Sequence, residues 1–235
     1  MEFDLNETYR QESILTSTEL KELEDVFEKN LNEFVDNGSF MINFGIGPSY
    51  HVYLMGRTIM LFLHARFNII FLSLSQPWAV YRYFFKSGRF NPGLQDETLS
   101  RINVIDAVTP TQGTFREMIG IMPEYVELLI HSGNLVEVLK RVQRRLIRIN
   151  ARMASRDIEQ NNFTEVTEVN ESRNVIIVDD LYGPLRQYNQ DTLPKFYNYL
   201  RKISGRSNGT RVVSFTVFAR KDLLDKKREI LAKIY

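Results

Sequence analysis

The chain has 235 residues, 43% hydrophobic and 25% charged, which suits one large globular domain with an extended core. It contains no cysteine, and this excludes disulfides, thiolate metal sites and a cysteine nucleophile together. Its formal net charge is +1, so no global field draws it to nucleic acid or to an anionic membrane, and any such contact needs a local patch.

Residues 1–15 are polar and read as a loose arm, without the apolar stretch of a leader peptide. The most apolar region, 52–74, is interrupted by Arg57, His64, Arg66 and Asn68. A membrane span tolerates few such groups, so the expectation is a cytoplasmic protein with no membrane partner. A helix is predicted from a capping box, Thr16 with Glu19. Leu20, Leu23, Phe27, Leu31 and Phe34 continue it at helical spacing, and it stops at 36–38 (Asp-Asn-Gly).

Residues 40–44 then read as a strand, 45–49 (GIGPS) as a loop, and 50–65 as an apolar-rich helix. The near-continuous apolar run 67–74 is the pattern of a strand buried on both faces. A helix follows over 78–86, opened by Pro77, and a short strand over 102–106 ends in Asp106. The pattern is helical from 114 to 153, with a break at 132–134. The clearest strand, 173–179, ends in Asp179 and Asp180. A helix over 192–203, a turn at 205–209, a strand over 212–218 and a charged helix from Asp222 complete the chain.

This alternation specifies an α/β fold: helices on both faces of a mostly parallel sheet, in three layers. One domain is expected over 16–235, with a helical insertion at about 114–172. Ligands of such sheets bind beyond the C-terminal strand ends, where the 45–49 loop, Asp106 and Asp179 would lie. The loop has the place of a phosphate cradle. Counted as a phosphate-binding motif from Gly45, however, it puts Tyr50 where the second glycine belongs. His51 stands where the lysine belongs and Val52 where the magnesium-binding hydroxyl belongs, and Pro48 has no N–H to donate. A plain strand-to-helix turn is an equal reading of the loop. A turn or helix cap is the ordinary use of an aspartate at a strand end.

The segments FMINFGIGPSYHVYLMGRTIM, NIIFLSLSQPWAVYRYFFKSGRF, RINVIDAVTP and NVIIVDDLYGPLRQYNQDTLPKFYNYLRKI together resemble RecA-type ATPases of the KaiC/RadA branch, especially divergent archaeal members that have lost the phosphate-binding loop. The resemblance covers most of the chain. It implies a RecA-like domain, oligomeric assembly, and a degenerate nucleotide edge made of Gly45, Gly47, Ser49, His51, Asp179 and Asp180. ATP with magnesium is the cofactor of that family, but the residues that hold it are missing, so no catalytic residue and no metal ligand is assigned. Residues 73–76 (SLSQ) stand where the family carries its water-activating glutamate.

In the helical region Leu135, Leu139, Val142, Leu146, Ile149 and Met153 form a narrow apolar seam. Arg141, Arg145, Arg148, Arg152 and Arg156 lie beside it. The ordinary reading is a helix packed on the body with a solvated basic side. The sharper reading is an anion or protein-partner surface, and the seam favours a protein partner over nucleic acid. His51, His64 and His131 have no metal-ligand spacing. The expected function is a non-catalytic regulatory or assembly subunit. The alternatives are a nucleic-acid-binding accessory factor resembling recombinase paralogues, and a metal-dependent enzyme using Asp106, Asp179 and Asp180 on a phosphorylated ligand.

Overall fold

A computed structural model describes residues 17–36, 41–46, 48–86, 94, 96–108, 126–128, 135–160, 173–180, 192–205 and 209–217. In chain order these form α1 (Ser17–Asp36), β1 (Met41–Ile46), α2 (Pro48–His64), β2 (Asn68–Ser73), α3 (Trp78–Lys86), α4 (Asp96–Leu99), β3 (Asn103–Asp106), β4 (Val126–Leu128), α5 (Leu135–Gln160), β5 (Asn174–Val178), α6 (Thr192–Ile203) and β6 (Thr210–Val217). The predicted arm, Thr16, Gly47, the helix break at 132–134 and the charged C-terminal helix lie outside the described residues.

The six strands form one sheet in the order β1-β6-β5-β2-β3-β4, and every neighbouring pair is parallel. Alternation along the strands divides the core in two. Ile69 and Phe71 of β2, Val175 and Ile177 of β5, and Val213 and Phe215 of β6 face a cluster completed by Phe27, Leu31, Ile59, Phe62, Trp78 and Phe85. Ile70, Leu72, Ile176, Val178 and Val212 face the opposite cluster, with Val138, Val142 and Ile149 of α5 and Phe196 and Leu200 of α6. Helices α1, α2 and α3 therefore cover one face, and α5 and α6 the other. β5 is buried at every position because it is central and covered on both sides.

The sequence expectations need three corrections. Gly45 and Ile46 belong to β1, where they pair with Thr216 and Val217, and α2 already begins at Pro48. Proline suits a first helical turn because it has no N–H to leave unpaired. Four of the five residues expected as a loop therefore belong to the strand or the helix. Secondly, the stretch 114–153 expected as helical contains a strand: Val126–Leu128 pairs with β3 and is too short to show a period of its own. Thirdly, α5 runs on to Gln160, past the expected end at Met153.

Helix α2 ends in a turn that a residue without a side chain would favour. The Phe67 N–H donates to the Phe62 carbonyl (2.9 Å) and the Arg66 N–H to Leu63 (3.1 Å), with Arg66 at φ 60°. This turn aims the chain into β2.

Candidate functional site at the C-terminal strand ends

The strand register sets which residues meet. Val178 pairs with Leu72 on one side and with Ser214 on the other, so Asp179 emerges level with the end of β2. Asp106 pairs with Ser73 one strand further on. β6 lies between β5 and β1, and its last pair, Ile46 with Val217, brings the start of α2 to the same edge.

Asp179 is fully buried, and its carboxylate is taken up by the chain itself. Oδ1 accepts from the N–H of Leu74 (2.8 Å) and of Asp180 (2.7 Å). Oδ2 accepts from the N–H of Ser75 (2.9 Å) and of Gln76 (3.4 Å), and from the hydroxyls of Ser75 (3.0 Å) and Tyr81 (2.9 Å). A carboxylate has about four lone-pair positions, so these donors leave none directed elsewhere. The Ser-Leu-Ser-Gln turn after β2 thus supplies most of these donors. Burial pushes the Asp179 carboxyl up to about 7, against the Ser75 and Leu74 amides, and the charge of Asp180 adds to the rise. Burial also drives the Tyr81 phenol well above its ordinary value, followed by the Asp179 charge.

His51 is buried in the first turns of α2, between the Tyr81 and Phe215 rings at centroid distances of 6.1 and 6.0 Å. Its Nε2 donates to the Asp179 carbonyl oxygen. A carbonyl only accepts, so the proton sits on Nε2 and the neutral ring leaves Nδ1 bare. Burial lowers its pKa to about 4, despite the opposing pull of that hydrogen bond. A neutral, donating imidazole cannot replace the ammonium of a phosphate-binding lysine. Asp180 is buried beside it, and its Oδ1 accepts from the Val217 N–H (3.4 Å), tying β5 to the end of β6.

The structure therefore brings His51, Asp179 and Asp180 together, with the backbone of Gly45 and Ser49 at the same edge; Gly47 lies outside the described residues. Asp106 stands apart in its use. Its Oδ2 accepts from the N–H of Trp78, the first residue of α3, and its Oδ1 from the Val108 N–H, each at 2.9 Å. That is a cap, the ordinary reading of an aspartate at a strand end. Sequence reasoning noted Ser75 only as part of the SLSQ segment and gave Tyr81 no role in the site, although the SLSQP turn after a buried strand was a signal for side-chain acceptors nearby.

The arginine helix is also redefined. Its seam is core: Leu135, Val138, Leu139, Val142 and Ile149 are buried against the sheet and Leu146 packs beside them, so the seam is not a free partner surface. Arg141 and Arg145 turn inward to Glu127 of β4, at 2.7 and 3.0 Å. Arg148 is exposed, and the backbones of Arg152 and Arg156 continue the helix. Glu127 could not be anticipated, because β4 itself was not. Among the described residues no group of three His, Asp or Glu side chains could hold a metal ion, and no described helix is long and apolar enough to cross a membrane.

No protein-family model matches the chain, and no curated protein matches its sequence. Solved structures do resemble it. An uncharacterized protein from Pyrococcus horikoshii, in complex with an unknown peptide, is 14% identical with a TM-score of 0.46, over 83% of this chain and 73% of that one. A DnaB-like replicative helicase, described with its interactions with primase, is 10% identical with a TM-score of 0.37. That match covers 79% of this chain but 40% of the helicase, so the chain is similar to less than half of that protein.

Proposed function

We propose that the chain is a RecA-like domain that does not hydrolyse nucleotide and serves as a regulatory or assembly subunit. The observation that carries this reading is the closed Asp179 carboxylate, whose lone pairs are occupied by the β2–α3 turn and Tyr81. His51 adds support, since it is neutral and committed to the Asp179 carbonyl where a phosphate would need a cation. The residues present do not fit magnesium-ATP in the manner of the RecA-type family. Removing charge stabilisation of this kind costs a phosphoryl-transfer reaction several powers of ten in rate.

The alternatives draw less support. A metal-dependent enzyme would need Asp106 and Asp179 to face a common ion, but each is committed to backbone donors of its own. A nucleic-acid surface would need the arginines free, but Arg141 and Arg145 are held by Glu127.

The test is phosphate release from magnesium-ATP by the purified chain. The expected outcome is no release above background. Magnesium-dependent release that disappears in Asp179→Ala, or in Asp180→Asn should the first variant not fold, would overturn the proposal.

A further inference from the structure

We propose that the outer face of α5 docks α1 of a second copy of this chain, so that copies stack through opposite faces of their sheets. This rests on the assembly half of the reading above and names the partner.

On α5, Val136 and Ile147 are exposed by 49% and 61%. Eleven residues apart, they stand about three turns from one another on a single stripe, on the side away from the buried seam. Lys140, Arg144 and Arg148 are exposed on the same side. Arg144 and Arg148 have no ion-pair partner among the described residues, unlike Arg141 and Arg145. The stripe is thus apolar at two points and cationic around them.

Helix α1 supplies the complement. Its sequence carries seven acidic residues against two lysines, whereas α5 carries seven cations against three acids. Phe27, Leu31 and Phe34 face the sheet, and Asp25, Lys29 and Glu33 are exposed on the outer side, with Val26 59% exposed at mid-helix. Charge that nearly cancels over the whole chain is therefore of opposite sign on these two helices. The lengths also agree: about 30 Å for α1 and about 39 Å for α5 at 1.5 Å per residue.

Within one chain α1 and α5 lie on opposite faces of the sheet, so α1 cannot reach its own α5. The complement therefore comes from another molecule, and a second copy of the chain carries it on α1. A contact between two different surfaces is heterologous, so each added copy presents a fresh face, and assembly continues into a stack or closes into a ring.

Sedimentation velocity of the full chain over a range of concentrations tests the proposal, with circular dichroism confirming that each variant folds. The wild-type chain should associate, and more tightly at about 0.1 M than at about 1 M salt, where the screening length falls from about 10 Å to about 3 Å. Arg144→Glu with Arg148→Glu should leave a monomer, and so should Asp25→Lys with Glu33→Lys. Mixing the two double variants should restore association, because each supplies the face the other needs. A wild-type monomer at all concentrations would overturn the proposal. So would unchanged association in the α1 variant, or a mixture that stays monomeric. Phosphate release measured on the same samples separates the two readings: a silent monomer sinks only the contact, and a hydrolysing stack sinks only the loss of catalysis.

Discussion

Asp106 and Asp179 look alike in the sequence, each an aspartate closing a short apolar strand, and both are fully buried. Their surroundings are not alike. Among the donors that the described residues show, Asp106 meets two backbone N–H groups, one opening α3 and one two residues on in its own turn. Asp179 gathers donors from the turn after β2, from α3 and from its own next residue, at the centre of the sheet. The first is a cap on the start of α3. The second is a clamp that joins segments about a hundred residues apart in the chain. A residue type at a strand end therefore does not define a role; the origin of its donors does.

The largest expected difference between the two lies in stability. Asp179→Ala would strand several buried N–H groups at once and should cost about 3–5 kcal/mol in urea unfolding. Asparagine should not rescue it, because its amide nitrogen would face donors. A loss below about 1 kcal/mol, within the range of an ordinary surface change, would show that the clamp is not formed.

The pH dependence sharpens the contrast within the Asp179 cluster. Asp179 titrates near 7 when folded, above its ordinary 3.8, so its contribution is complete below about 4 and is lost as the pH rises through about 7. His51 titrates near 4 when folded, below its ordinary 6.5, so its contribution is complete above 6.5 and is lost as the pH falls through about 4. Between these values the two slopes oppose one another. In His51→Phe only the Asp179 slope remains, so stability should fall steadily from pH 4 to pH 7. A variant with the wild-type profile would contradict this.

At Asp106 the expected effects are smaller. Asp106→Ala should cost about 1–2 kcal/mol, as for a lost helix cap, and Asp106→Ser should recover much of it. Recovery by serine at position 179 as well would erase the distinction between cap and clamp. The smallest effect belongs to the β4–α5 contact. Glu127→Gln weakens partly exposed ion pairs and should cost no more than about 1 kcal/mol, measured by the same unfolding.

The sequence by itself determined the α/β class, the helical and strand character of most elements, and the central place of the strand ending in Asp179. Those features depend on local periodicity: β5 is apolar at every step after its first residue, and α1 repeats its apolar residues at helical spacing. It also showed His51 and Val52 at the positions where a phosphate-binding motif counted from Gly45 carries a lysine and a hydroxyl, because that comparison needs only residue identity. Only the tertiary structure decided the rest. β4 is three residues long, held by pairing with β3 rather than by any pattern of its own. The seam of α5 could have faced a partner or the sheet, and it faces the sheet because Leu72, Ile176 and Val178 present an apolar surface there. The saturation of Asp179 comes from segments brought in by parallel pairing of β2 with β5, a register no local reading could supply.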